Sequence, residues 1–168
     1  MVNIVLEIGG KKEQLAVEED ELLVDVLRIR LGLLGVKKGC EEGECGACSI
    51  IMNGKLVNSC LVLAAAADGA SIMTIETLGW PGRLHPIQKV FAEGGAVQCG
   101  YCTPGMIMAA KALLDKEPNP SEAEIRDAIA GNLCRCTGYQ KIVSSIMSAA
   151  ELLRKEKAGS GEHLDGKR

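Results

Sequence analysis

The chain has 168 residues, 47% of them hydrophobic and 24% charged, with a formal net charge of −3. A length of this kind suits one ordinary domain or two small ones, and two small ones would each have a thin core that needs a staple. Four aromatics (Trp80, Phe91, Tyr101 and Tyr139) and a dispersed set of Lys and Arg give neither the stacking platform nor the basic footprint of a nucleic-acid binder.

The predicted elements run as follows. Val2, Ile4, Leu6 and Ile8 form a period-2 strand, Gly9-Gly10-Lys11 turns, and Glu13 to Val17 returns as its hairpin partner. Asp20 is expected to cap a helix over Glu21 to Leu31, with Leu23, Leu27 and Leu31 on one face. Ser49 to Asn53 reads as a short strand ending at the Asn53-Gly54 turn, and Ser71 to Thr77 as another. Leu78 to Gly82 has the composition of a linker. Beyond it the pattern is helical. Pro86 and Pro104 suit first-turn positions, with Thr103 as the expected N-cap. Ser121 to Glu124 is a capping box that opens a helix ending near Ala130. Val143, Ile146, Met147, Ala150 and Leu153 mark one face of a last helix.

The division expected is therefore α+β: a mixed domain over residues 1–77, an all-helical domain over 84–157, and a disordered tail over 158–168. No apolar run is long enough to span a membrane, and the N-terminus lacks a basic or apolar leader, so a cytoplasmic location is expected.

The eight cysteines carry the chemistry. Their density is below that of disulfide scaffolds, and clustered thiols in a reducing compartment more often bind metal. Cys40, Cys45, Cys48 and Cys60 are spaced C-x4-C-x2-C-x11-C, whose opening is the plant-type 2Fe–2S ferredoxin pattern. Gly43 and Gly46 let the loop curl and aim backbone N–H groups at the thiolates of a negatively charged cluster. A zinc site would pair two short knuckles, and only one short pair exists here.

Cys99, Cys102, Cys134 and Cys136 are spaced C-x2-C-x31-C-x-C, which suits zinc as well as a second cluster on spacing alone. The redox reading of the first set, and the position of the ligands near helix starts, favour a second 2Fe–2S cluster. A Rieske centre needs two histidines, and only His85 and His163 occur, the latter in the tail.

Three stretches then carry a resemblance: Gly39 to Cys48, His85 to Gln88 with Gln98 to Met106, and Gly131 to Tyr139. The chain to about Leu153 resembles the small iron–sulfur subunit of the xanthine oxidase family of molybdenum hydroxylases, and its first domain resembles a plant-type ferredoxin. The resemblance implies a β-grasp domain followed by a four-helix bundle. It implies all eight cysteines as ligands of two 2Fe–2S clusters. It further implies that Gln98 and Cys136 contact the pterin of a molybdopterin cofactor held by a large partner subunit. Electrons would run from molybdenum through the helical-domain cluster and the N-terminal cluster to FAD in a medium subunit, within a heterotrimer or a dimer of heterotrimers. Substrates in such a family span purines, aldehydes, carbon monoxide, nicotinate and other heterocycles, and aromatic thioesters, and are selected in the large subunit.

Other residues are read more plainly. Glu41, Glu42 and Glu44 are expected to form a solvated acidic loop rather than a docking face. Arg135 is open between an ion pair within the chain and a role beside the thiolates. Gln98 by itself reads as a buried amide, and His85 as a helix-start residue. Met106, Met108 and Met147 read as core, and Trp80 as packing between the domains or against a partner. No phosphate loop and no catalytic constellation occurs. A free-standing two-cluster electron carrier, or a zinc-stabilised assembly module, is the competing function.

Overall fold

The computed structural model describes residues 1–161. β1 (Val2–Ile8) and β2 (Lys11–Val17) pair antiparallel from Val2–Val17 to Ile8–Lys11. Gly9 and Gly10 both have positive φ (57° and 82°), the primed turn that matches strand twist. β3 (Ser49–Met52) and β4 (Lys55–Asn58) form a second hairpin through Asn53 and Gly54, again both at positive φ. β5 (Ser71–Met73) lies parallel to β1 and antiparallel to β3, which gives one sheet in the order β2-β1-β5-β3-β4. Ile4, Leu6 and Ile8 point to one face and are buried, as the period of two requires.

The helix expected from Asp20 starts later and winds differently. Glu21 O accepts from Ala64 N–H and Leu23 N–H donates to Val62 O, both at 2.8 Å, so this entry segment is extended against residues 62–64. Only then does the chain coil, as α1 (Leu23–Asp25) followed by a π-helical turn over Val26–Arg30. Leu23, Val24, Val26 and Leu27 are buried against the sheet. The strand expected over Ser71 to Thr77 also stops early. Thr77 Oγ1 accepts from Thr74 N–H at 3.1 Å, and this local bond turns the chain into α2 (Ile75–Leu78). Ile75 and Leu78 then pack on the helical half.

That half contains α3 (Pro86–Glu93), α4 (Thr103–Lys116), α5 (Glu122–Ala128) and α6 (Gln140–Gly161). Phe91, Met106, Ile125, Ile142 and Ile146 lie in their shared core. His85 caps α3, accepting from Ile87 N–H on Nδ1, while Gln88 accepts from His85 N–H. Ser121 caps α5 reciprocally with Glu124. The N-cap of α4 is Cys102 rather than Thr103, and α5 ends at Ala128, before Ala130. On α6 the buried face is Ile142, Val143, Ile146, Ala149 and Ala150. Met147 is 46% exposed, so it is not core, whereas Met106 and Met108 are. The segment read as a tail begins inside α6, which runs to Gly161, and the remainder of that expectation lies outside the described residues.

A third, small apolar cluster joins the halves. Ile51 of β3 packs on Met108 and Ala112 of α4.

Candidate metal centres

The first four thiols converge at the edge of the sheet. Cys40, Cys45 and Cys48 lie on one loop, and Cys60 sits in a 3-10 turn just after β4. The loop is wound by left-handed residues: Glu41, Gly43 and Gly46 have φ of 61°, 80° and 65°. The winding turns N–H groups inward, and Glu42 N and Cys45 N both lie 3.4 Å from Cys40 Sγ. These backbone donors, Glu42 first, lower the Cys40 thiol to about 7. Burial and the neighbouring Cys48 thiol raise Cys60 to about 11. Ser59 Oγ donates to Cys48 O at 2.8 Å and Asn58 Nδ2 to Gly43 O at 2.8 Å, which ties the Cys60 turn to the loop.

The second four thiols lie at the ends of helices. Cys102 is the N-cap of α4, Cys99 precedes it across Gly100 (φ 84°), and Cys134 and Cys136 occupy the loop between α5 and α6. Cys136 Sγ lies 3.7 Å from Cys99 Sγ. Burial and a hydrogen bond with Cys134 push the Cys102 thiol up to about 12. Burial also acts to raise Cys134, but the Thr137 hydroxyl, which donates to its sulfur at 3.1 Å, and backbone donors outweigh it and bring it down to about 7. Cys134 N–H donates to Tyr139 Oη at 2.8 Å, which fixes the loop from the start of α6.

Each set thus presents two close thiol pairs: Cys40 with Cys45 and Cys48 with Cys60, then Cys99 with Cys136 and Cys102 with Cys134. A two-iron cluster takes two thiolates on each iron, so two pairs are the donor set it needs.

The surroundings differ between the two sets. Cys48 and Cys60 are buried, whereas Cys99 and Cys136 are exposed. Beside the exposed pair stand Val97, Tyr101 and Leu133, at 39%, 48% and 56% exposure. Gln98, expected to be buried, is exposed on the same edge. Arg135 is exposed and has no ion-pair partner among the described residues. Glu41 pairs with Lys38 at 3.0 Å, while Glu42 and Glu44 are exposed. Trp80 is 56% exposed and stacks under the Arg83 guanidinium, 5.6 Å from the ring centroid.

The two sites meet at a polar seam. Leu133 N–H donates to Cys45 O at 2.9 Å, and Asn132 Nδ2 donates to Gly46 O at 2.9 Å and to Ser49 Oγ at 3.1 Å. Sequence reasoning missed Asn132. It stands in the Gly131 to Tyr139 stretch two residues before Cys134, but its partner lies 86 residues away and leaves no local signal.

Fold and site together define a 2Fe–2S protein with one cluster-binding domain in each half. The family described as 2Fe-2S iron-sulfur cluster binding domain matches residues 6–72, and the 2Fe-2S binding domain family matches residues 74–147. The nicotinate dehydrogenase small FeS subunit of Eubacterium barkeri is 50% identical over 150 residues, covering 89% of this chain and 96% of the relative. Quinoline 2-oxidoreductase from Pseudomonas putida superposes with a TM-score of 0.87 at 43% identity, covering 92% of this chain and 96% of that one. Aldehyde oxidoreductase from Desulfovibrio desulfuricans superposes with a TM-score of 0.90 at 46% identity over 93% of this chain, which spans only 18% of the length of that enzyme. The chain belongs to the xanthine oxidase family of molybdenum hydroxylases, among its small iron–sulfur electron-transfer subunits.

Proposed function

We propose that this chain relays electrons between a molybdopterin site in a large partner subunit and FAD in a medium partner subunit, through a cluster in each half. The observation that carries this reading is the pair of four-thiol sites joined at Cys45 and Leu133. In the first half Cys40, Cys45, Cys48 and Cys60 hold one cluster; in the second Cys99, Cys102, Cys134 and Cys136 hold the other. A bound 2Fe–2S cluster supplies one-electron redox chemistry, and the protein supplies its position and potential. The wound first loop offers backbone N–H groups to sulfur, and the α4 N-terminus at Cys102 favours the negative charge there.

The exposed edge at Cys99 and Cys136 is the face turned to the molybdopterin subunit. Gln98 and Cys136 stand there to meet the pterin, and their exposure in the isolated chain is what a contact completed by a partner requires. Val97, Tyr101 and Leu133 supply apolar surface that assembly would cover. We read the sheet order as a β-grasp and the packing of α3, α4, α5 and α6 as a four-helix bundle. The domains divide near 1–77 and 84–157, the assembly is a heterotrimer or its dimer, and the compartment is the cytoplasm. No helix among the described residues is long and apolar enough to cross a membrane.

Low-temperature EPR of the dithionite-reduced chain, with iron and sulfide counted on one sample, tests the reading. Two distinct signals and about four irons per chain are expected. Cys102→Ser should remove one signal and block electron transfer from the molybdenum site while the other signal persists. One signal with about two irons plus zinc would end the two-cluster relay.

A further inference from the structure

Gly46 O, inside the first thiol loop, accepts three hydrogen bonds. Ser49 N–H donates at 3.1 Å, Ser49 Oγ at 2.7 Å and Asn132 Nδ2 at 2.9 Å. The second Asn132 hydrogen goes to Ser49 Oγ at 3.1 Å, and the side chain belongs to a residue only 2% exposed. Asn132 stands two residues before Cys134, so its carboxamide ties a segment of the second site to the loop of the first.

The slot it fills has no spare room. A Cβ on Gly46 would come within 2.3 Å of Gly131 O and 2.5 Å of Asn132 Nδ2. A Cβ on Gly105, in the first turn of α4 after Cys102, would come within 2.3 Å of Gly46 O and 3.1 Å of Asn132 Nδ2. Gly46 is therefore packed between the α4 turn at Gly105 on its carbonyl side and Gly131 O with the Asn132 side chain on the other. Without the carboxamide, Gly46 O would still keep both Ser49 donors, so the first loop does not need Asn132 to satisfy its own backbone. What the amide adds is the link across the seam. It makes the second of two adjacent rungs, Asn132 to Gly46 and Leu133 N–H to Cys45 O, which hold the two thiol loops in register beside the apolar contact of Ile51 with Met108 and Ala112.

We infer that Asn132 is a positioning residue that fixes the separation of the two cluster sites and hence the electronic coupling between them. This rests on the two-cluster reading above. The step it serves is the passage of one electron, which leaves one site oxidised by one electron and the other reduced by one, with no bond or proton moved.

The test uses the assembled enzyme carrying Asn132→Ala or Asn132→Ser, with iron counted per chain. In the fully reduced wild-type protein, two paramagnetic sites held close together are expected to split each other's EPR signals. With full iron, Asn132→Ala should lose part or all of that splitting, and Asn132→Ser, which keeps one donor, should lie between it and wild type. Unchanged splitting in both fully loaded variants overturns the inference, since a residue that only stabilises the fold would leave spacing alone. If alanine prevents loading, serine decides by the same criterion. Failure of both variants to load either site also overturns it, because a positioning residue would spare the first site. A wild-type protein with one signal would remove the two-cluster reading and this inference together; split wild-type signals with unmoved variants would remove this inference only.

Discussion

The backbone N–H of Leu133 donates to the carbonyl of Cys45 at 2.9 Å, so the residue before one thiol is bonded directly to another thiol's peptide. The contact ties the Cys45 peptide to the residue immediately before Cys134. Leu133→Pro removes the donor and leaves the Cys45 carbonyl without it, at a cost of about 1–3 kcal/mol. Leu133→Ala keeps the N–H, and because the side chain is 56% exposed its effect on stability should stay within about 0.5 kcal/mol. Chemical denaturation of the two variants beside wild type checks the contrast.

Gly46 combines a φ of 65° with the close approach of Gly131 O. Gly46→Ala should therefore cost more than about 3 kcal/mol, since a backbone oxygen has to move. Gly54 has a similar φ of 77° but open space where its Cβ would stand. Gly54→Ala should cost only the left-handed penalty of about 1 to 2 kcal/mol. Melting temperatures and iron content of the pair separate conformational strain from a steric block in the seam.

His85 supplies a pH dependence with a definite sign. Burial first, and then the Lys111 charge, lower its pKa below 6.5, which favours the neutral ring whose Nδ1 accepts from Ile87 N–H. A depressed folded-state pKa contributes stability that is complete above 6.5, the unfolded value, and is lost as pH falls from there through the lower folded value. Asn is a strong N-cap without a titration in this range. His85→Asn should thus shrink the loss of melting temperature between about pH 7.5 and about pH 5.5 relative to wild type.

The thiols should also separate by reactivity in cluster-free chain. Cys40 and Cys134, both brought down to about 7, are largely thiolate at about pH 8, whereas Cys60 and Cys102, raised to about 11 and about 12, remain protonated there. Timed alkylation followed by peptide mass spectrometry should label the first two well before the second two. Equal rates would mean that the loop donors at Cys40 and the Thr137 hydroxyl at Cys134 do not act as described.

Much of this was legible in the residues. Two primed turns, the Ser121 capping box and the Pro86 start are local signals with local causes, and each appears where the sequence puts it. The failures have non-local causes. Glu21 and Leu22 read as helix, but residues 62–64 draw them into extended pairing. Thr74 reads as strand, yet a hydroxyl three residues on captures its N–H. Gln98 reads as buried because it adjoins a ligand motif, but that motif lies at an open edge. The site was visible as thiol spacing; its seam was not, because Asn132, Gly46 and Gly105 come from three separate segments.

The seam also limits how such a chain can be recombined. Each half has its own apolar core, which suggests modules that could be exchanged between relatives. Yet Gly46 lies in one half while the atoms that forbid it a side chain lie in the other, and Gly105 repeats this in reverse. A chimera cut at the linker would inherit only one side of each fit. It would bring together its two sites only if the donor halves happened to leave the same two empty spaces.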